Sequence, residues 1–262
     1  MSDLGLVARQ AGYGLKSLSR NPRALVFTVA FPIVLLVLFA SIFAKTGSGT
    51  TRFAGERIDT DAYFTAGIIA YAIMMACYSS LAISLTTERE SGQLKRFRGT
   101  PVPAWTFIVA RIVRSIALVA AMIMALLLLA RVAFDVRLSA TGLGELAVFA
   151  VLGTAAMCAL GIALTTLTTT VDSASTIAPF STVILSFVSG VFIPADQLPD
   201  ALVQVGKVFP LAHLASGLQG AFDRGGALHL SGENVAVLAL WGAIGILVAA
   251  RSFRWEPHGA GS

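Results

Sequence analysis

Six predominantly apolar runs, most of them about 20 residues long, constrain this chain more than any other feature. A helix of about 20 residues crosses a hydrocarbon core of about 30 Å. Of the 262 residues, 56% are hydrophobic and only 13% are charged, whereas a soluble domain averages about 25% charged residues. A transmembrane β-barrel would show alternating rather than continuous apolar stretches. The sequence therefore predicts an all-α polytopic membrane protein, and it disfavours a soluble globular domain of unusually apolar composition.

The whole chain, 1–262, is predicted to be a single transmembrane domain. The first apolar run begins too late and is too long for a cleavable signal peptide, so we expect it to be retained as an anchor. Cys77 and Cys158 both lie inside apolar runs and are expected to be buried, without metal-ligand or disulfide spacing. The six predicted spans are 24–44, 62–87, 106–134, 144–168, 175–193 and 233–250.

The distribution of basic residues predicts the orientation of the chain. An even number of spans places both termini on one side, and that side carries 12 of the Lys and Arg residues, against seven on the other. By the positive-inside rule the termini are cytoplasmic. We therefore expect a multi-pass protein of the plasma (inner) membrane with both termini in the cytoplasm.

Two segments outside the spans have helical apolar patterns. Residues 1–22 combine apolar positions at helical spacing with basic residues on another face, which predicts an amphipathic interfacial helix or, alternatively, a plain basic flank. Residues 194–232 hold more large apolar side chains than a surface loop would. They predict two short helices folded back into the outer leaflet as a re-entrant segment.

The densest charge cluster is the stretch TTERESGQLKRFRGTPVPAW, from Thr86 to Trp105. Residues 88–98 are predicted to form a short charged helix at the cytoplasmic membrane face, because charges are costly in lipid. Proline in the GTPVP sequence would end that helix. A charged helix with nothing of its own chain to contact would be a docking surface for another protein, while the plainer alternative is an ordinary cytosolic loop.

This stretch resembles the cytoplasmic signature of ABC-2 type exporter permeases: an acidic residue, glycine, a polar residue, a hydrophobic position and then Thr-Pro. The resemblance implies a type V ABC exporter fold in which this segment is the coupling helix, seated in a cleft of the ATPase subunit. Arg98 stands where the family commonly has a hydrophobic residue. The residues expected to couple to the ATPase are Glu88, Glu90, Gly92, Gln93, Leu94, Phe97, Arg98, Thr100 and Pro101.

A second resemblance to the same family lies after the fifth predicted span. The stretch SGVFIPADQLPDALVQVGKVFPLAHLASGLQGAF matches the family at several glycine, proline and apolar positions, and at His213. Folded back over the bundle, this segment would form a lid above the translocation path. The residues expected at this outer gate are Gly190, Phe192, Pro194, Leu198 and Pro199.

The resemblance also implies that the second and fifth spans line a substrate cavity. Aromatic and methionine side chains make an adaptable surface that suits apolar cargo, although any one of them could instead face lipid or another helix. Small residues of the fourth span, Gly153, Ala156 and Gly161, would permit close helix contacts, including contacts within a dimer. The candidate cavity residues are Tyr71, Met74, Met75, Tyr78, Phe180, Leu185, Phe187 and Val188.

The chain is not expected to be an enzyme by itself. It has no G-x-x-x-x-G-K-[ST] phosphate loop, and its three histidines lack metal-ligand spacing. The resemblance therefore implies two copies of an ABC ATPase subunit, which would bind ATP and Mg, and a second identical or related permease half. Membrane lipid is the other expected partner, and no nucleic acid and no cofactor bound by this chain are expected.

These observations favour a permease subunit of an ATP-driven ABC exporter, moving a drug, antibiotic or lipid out of the cytoplasm or inner leaflet of a bacterium. No span carries an ionisable residue near its middle, which argues against an ion channel or a proton-coupled carrier. Export of a polysaccharide or lipid-linked glycan is an alternative, mildly disfavoured because only Trp241 of the three tryptophans lies within a span. A membrane scaffold without transport activity is a further alternative.

Overall fold

The computed structural model describes residues 12, 22–46, 50–53, 56–94, 104–194, 197–222 and 230–252. Within these ranges the helices are joined by turns and irregular segments, and one hairpin lies between the first two helices, formed by β1 (Thr50–Phe53) and β2 (Glu56–Asp59). The helices are α1 Pro22–Thr46, α2 Thr60–Glu90, α3 Ala104–Phe134, α4 Ala140–Leu167, α5 Val171–Val188, α6 Asp200–Gly206, α7 Pro210–Gly220 and α8 Gly232–Ser252.

Five of the described helices are long and apolar enough to cross a membrane. These are α2, α4, α5, α8 and residues Val109–Phe134 of α3, and the number rises to six if α6 and α7 count as one bent span. Helix α1 covers the first predicted span, and its apolar part extends over Val29–Ile42. The prediction of an all-helical polytopic membrane protein is thus confirmed.

Helix α2 forms the centre of the bundle. Nearly every residue from Ala62 to Met74 is buried, including side chains as large as Phe64 and Tyr71. A helix that is apolar on all sides is buried on all sides, and α2 accordingly packs against α1, α3, α4 and α7. One π-helical turn, Met75–Ser79, interrupts its regular hydrogen bonding halfway along. Turns of this kind occur frequently at functional sites.

Small residues of α4 allow other helices of the same chain to approach closely. A Cβ atom at Gly153 would lie 2.4 Å from the Leu214 side chain of α7, and one at Gly161 would lie 2.6 Å from the Cys77 carbonyl oxygen of α2. Ala156 is buried, and Gly242 of α8 packs beside it. The three small residues singled out in the fourth span therefore serve contacts within the chain.

The segment after α5 folds back onto the bundle. Helices α6 and α7 are bent by 95° relative to each other, and Leu211, Leu214 and Leu218 of α7 are fully buried. Helix α7 runs antiparallel to α4, because Gly153 of α4 faces Leu214 and Gly142 faces the Ala221 carbonyl group. Two short helices thus occupy the predicted re-entrant segment, and α7 forms part of the core.

Several predicted boundaries differ from the observed ones. Helix α5 ends at Val188, five residues before the predicted end at 193, because a turn begins at Ser189 and Gly190 adopts a φ of +74°. The hairpin was not predicted, although threonine, isoleucine and phenylalanine in its strands favour extended backbone. Apart from Gly12 and Pro22, the predicted interfacial helix 1–22 lies outside the described residues.

Candidate functional site: a charged junction

Four helix termini meet at one end of the bundle, which we call the junction. Helices α2 and α4 end there, at Glu90 and Leu167, and α5 begins there at Val171. Helix α3 contributes Arg111 from its first turns. The described part of the predicted coupling segment continues directly from the end of α2. The junction is therefore where that segment joins the membrane helices.

Arg89 binds α2 to the end of α4. Its side chain is buried, and its guanidinium donates hydrogen bonds to the backbone carbonyls of Thr165 at 2.8 Å, Thr168, and Thr169 at 3.4 Å. The last carbonyls of a helix have no partner within the helix and carry its negative dipole end. The buried guanidinium supplies hydrogen-bond donors to these carbonyls and a positive charge to the negative end of the dipole.

Glu90 makes the complementary contact with α5. Its carboxylate Oε2 accepts a 2.7 Å hydrogen bond from the backbone N–H of Val171, the first residue of α5. Thr170 and Ser173 complete the same helix start with a capping box. A negative charge is stabilising at a helix N-terminus, where the dipole is positive. Consecutive residues of opposite charge thus hold the two helix ends on either side of the 168–170 turn.

Glu88 lies on the other side of α2 and faces α3. It is buried and forms an ion pair with Arg111, and Ser84 donates a 3.4 Å hydrogen bond to the same carboxylate oxygen. The second oxygen, Oε2, is buried without a hydrogen-bond partner among the described residues. Arg114, one turn further along α3, is close enough to Glu88 to interact with it electrostatically. The ion pair ties α2 to α3 at the junction.

Beyond Glu90 the chain leaves the α2 axis. Ser91 and Gly92 form a turn, and Gly92 adopts a φ of +70°, the left-handed region that glycine tolerates best. After the turn, the Gln93 side chain is exposed and Leu94 is buried. The remaining predicted coupling residues, Phe97, Arg98, Thr100 and Pro101, lie outside the described residues.

This geometry corrects one prediction. Residues 88–98 do not form one continuous helix, because Glu88, Arg89 and Glu90 end α2 and the turn at Gly92 separates them from the rest of the segment. The expectation that these charges contact nothing in their own chain is also wrong. All three bind neighbouring helices: Arg89 and Glu90 bind backbone groups exposed at the ends of α4 and α5, and Glu88 binds the Arg111 side chain of α3.

The predicted cavity residues lie in different surroundings. Tyr71 and Met74 are buried inside the chain, whereas Phe180 and Phe187 of α5 are 66% and 45% exposed. Tyr78 is half-buried, and its hydroxyl lies 3.0 Å from the Ser181 hydroxyl, which joins α2 to α5. The other candidates, Met75, Leu185 and Val188, are half-buried. Their role in binding cargo stays a prediction.

The predicted gate residues cluster at the opposite end of the bundle. The Tyr63 hydroxyl donates a 2.6 Å hydrogen bond to the Gly190 carbonyl oxygen. The Phe192 ring is buried and contacts the rings of Phe39, Tyr71 and Phe187 at centroid distances of 5.2–5.3 Å. Pro194 is buried, Leu198 half-buried and Pro199 exposed. The chain leaving α5 is thus packed firmly onto α1 and α2.

Sequence reasoning missed two polar contacts. Arg89 was counted only as a basic flank, and the threonine-rich run from Thr165 to Thr170 was the available signal for a helix end that needs a partner. His213 was noted for its resemblance alone. Its Nε2–H donates to the Lys207 carbonyl at 2.8 Å, and Nδ1 lies 2.8 Å from Asn234 Oδ1, so it joins α6, α7 and α8. Within the described ranges, no three potential metal ligands cluster together.

Comparison with known proteins identifies the family of the chain. The profile of the ABC-2 type transporter family matches residues 11–222. A Bacillus subtilis (strain 168) protein named "Putative transport permease YvfS" is 21% identical over 214 residues, covering 82% of this chain and 84% of that protein. The family match extends over most of the chain, including α2, the junction and the predicted gate. The chain therefore belongs to the ABC-2 type transporter family, as the resemblance of its coupling and gate segments predicted.

Proposed function

We propose that this chain is the permease subunit of an ATP-driven ABC exporter that moves hydrophobic or amphiphilic cargo, such as a drug, antibiotic or lipid. Membership of the family implies association with an ABC ATPase subunit. The junction is the single observation that carries the proposal. There the charged end of α2 binds three other membrane helices, through the contacts of Glu88 with α3, Arg89 with α4 and Glu90 with α5.

The proposed coupling route runs from the segment after Gly92 into the bundle. When ATP closes two ATPase subunits, the segment 93–101 moves with them. Glu90 and Arg89 pass that movement to the start of α5 and the end of α4, while Glu88 passes it to Arg111 of α3. Energy enters because the ATPase contacts the two states of the permease differently, which is required for any driven shift.

The proposed cargo path lies beside α5. Its exposed side chains include Phe180, Val183, Ile184 and Phe187, which offer an apolar surface along one face of the helix. Apolar and aromatic side chains suit an apolar or amphiphilic cargo. The aromatic cluster at the gate does not favour a glycan as cargo. The rings of Phe64 and Tyr71 are buried by their neighbours, so a sugar cannot stack on them.

The proposed assembly contains two permease halves and two ATPase subunits in the plasma membrane. ATP and Mg belong to the ATPase subunits, and the permease contributes the junction and the membrane helices. The excess of basic residues on the terminal side supports cytoplasmic termini, which places the junction at the cytoplasmic face and the gate at the outer face.

The experiment reconstitutes the permease with its ATPase partner in vesicles and measures cargo transported per ATP hydrolysed. Glu90→Gln keeps the size of the side chain but removes the charge from the α5 start. Gly92→Ala adds a Cβ that meets no atom of the described residues within 4 Å but strains the left-handed backbone. Both variants should insert and hydrolyse ATP, and both should transport less cargo per ATP.

Two matched variants serve as controls. Gly92→Asn also adds a side chain, but asparagine tolerates the left-handed region, so it should retain more coupling than Gly92→Ala. Glu233→Gln removes an exposed charge from the first turn of α8, far from the junction, and should leave coupling unchanged. Normal transport by both Glu90→Gln and Gly92→Ala would contradict the proposed route.

A further inference from the structure

We propose that Arg111 and Arg114 of α3 form a binding site for the phosphate headgroup of an anionic phospholipid at the junction end of the membrane. The proposal concerns a resident lipid rather than the transported cargo, and it does not depend on the ATPase or on the direction of transport. It rests on the charges around Glu88 and on the exposed apolar surface of α3.

Around Glu88, the described side chains carry two positive charges and one negative charge. Arg111 and Arg114 lie three residues apart, on neighbouring turns of α3, and both act electrostatically on Glu88. Glu88 carries one negative charge and forms its ion pair with Arg111. Arg114 forms no ion pair or hydrogen bond with the described part of the chain. A single carboxylate cannot neutralise both guanidiniums.

Two other charged side chains of the junction are already engaged, and Asp172, in the first turn of α5, is exposed. The Arg89 guanidinium is buried against the carbonyls that end α4, and the Glu90 carboxylate accepts the N–H that begins α5. Neither can approach Arg114 without giving up those hydrogen bonds. A half-buried positive charge at a membrane boundary is costly unless an anion or water reaches it. Glu88 is the one carboxylate in the described cluster with Arg111 and Arg114, so the anion proposed for Arg114 comes from outside that cluster.

The position of α3 indicates that the anion is a lipid. Val113 and Ile116, which flank Arg114, are 40% and 48% exposed, and the exposed apolar surface continues along α3 through Met124 and Leu128. Such a surface on a spanning helix faces acyl chains. Arg114 begins the second turn of the apolar span Val109–Phe134, from where an arginine side chain can extend to the headgroup layer. One phospholipid can therefore place its acyl chains on the apolar surface of α3 and its phosphate at Arg114.

Guanidinium chemistry matches this ligand. Arginine presents a planar fork of donors that pairs with two phosphate oxygens at once. Basic pockets between membrane helices bind anionic headgroups in this way, with about 1 kcal/mol from each basic residue near the surface. Loss of one arginine charge should therefore weaken binding about fivefold.

The test measures lipid retention by the purified full-length chain. The protein is equilibrated in mixed micelles of phosphatidylglycerol and phosphatidylcholine, and native mass spectrometry counts the lipids that remain bound. The wild type should retain phosphatidylglycerol in preference to phosphatidylcholine. Arg114→Gln should bind phosphatidylglycerol about fivefold more weakly, and Arg114→Lys, which keeps the charge, should retain most of the preference.

Arg131→Gln provides the matched control, because Arg131 also belongs to α3 but lies at the opposite end, exposed and paired with Asp135. It should bind phosphatidylglycerol like the wild type. Equal retention of both lipids by the wild type would overturn the proposal, even if Arg114→Gln cannot be purified. The proposal would also be overturned if inorganic phosphate in phosphatidylcholine micelles raised the unfolding temperature as much as phosphatidylglycerol does, since the ligand would then be a soluble anion.

Discussion

Gly161 of α4 lies directly against the backbone of Cys77, inside the π-helical turn of α2. A Cβ atom at Gly161 would fall 2.6 Å from the Cys77 carbonyl oxygen and 2.9 Å from that of Tyr78. Contacts this short cannot form without moving backbone. The absence of a side chain at Gly161 is therefore what lets α4 pack against the irregular turn at the centre of the bundle.

Gly161→Ala should destabilise the protein by about 1–3 kcal/mol, the usual cost of overpacking. Thermal unfolding in detergent would measure this. Gly144→Ala is the matched control in the same helix, because a Cβ there meets no atom within 4 Å in the part of the chain that the structure describes. Alanine should leave stability unchanged or raise it by up to about 1 kcal/mol. Equal unfolding temperatures for the two variants would show that α4 does not pack closely on α2.

Arg89→Lys should lower the free energy of unfolding by about 2–3 kcal/mol, since hydrogen bonds from charged groups contribute about 1.5–3 kcal/mol. Lysine keeps the charge but cannot span the carbonyls at the end of α4 as a planar guanidinium does. Denaturant titration of the purified chain would measure the change. Arg131→Lys alters an exposed ion pair and should cost no more than about 0.5 kcal/mol. A comparable cost at both sites would argue against the proposed role of Arg89.

Tyr78 and Ser181 should show a measurable coupling energy, because their hydroxyls lie 3.0 Å apart between α2 and α5. A double-mutant cycle with Tyr78→Phe and Ser181→Ala isolates this interaction. We expect about 0.6 kcal/mol, and at most about 1.7 kcal/mol, as is typical of hydrogen bonds between membrane helices. Strictly additive effects of the two substitutions would indicate that the hydroxyls do not bond to each other.

His213→Ala should destabilise the α6–α7 segment by about 1–3 kcal/mol, because it leaves the Lys207 carbonyl and the Asn234 side chain without this partner. Hydrogen exchange of residues 200–220 would locate the loss. Ser216→Ala removes only a 3.4 Å contact with Asn234 and should cost about 0.5 kcal/mol. If exchange in α6 and α7 is unchanged by His213→Ala, the histidine does not hold the segment in place.

Much of the architecture could be predicted from apolar periodicity and length. A long helix overlaps each of the second to sixth predicted spans, with ends that differ by several residues, because about 20 apolar residues leave little alternative to a membrane helix. The segment at residues 88–98 was predicted less well. Its charges favoured a separate helix, whereas the structure extends α2 to Glu90 and turns at Gly92.

The sequence by itself determined that this chain is a helical membrane protein of the ABC-2 type transporter family, because hydrophobic runs and a short motif are properties of contiguous residues. Only the tertiary structure decided what the charges near the membrane contact. Arg89 and Thr165 are 76 residues apart, and Glu90 and Val171 are 81 apart. Such pairs form because helix ends expose backbone groups that must find partners, and which ends meet depends on the packing of the whole bundle.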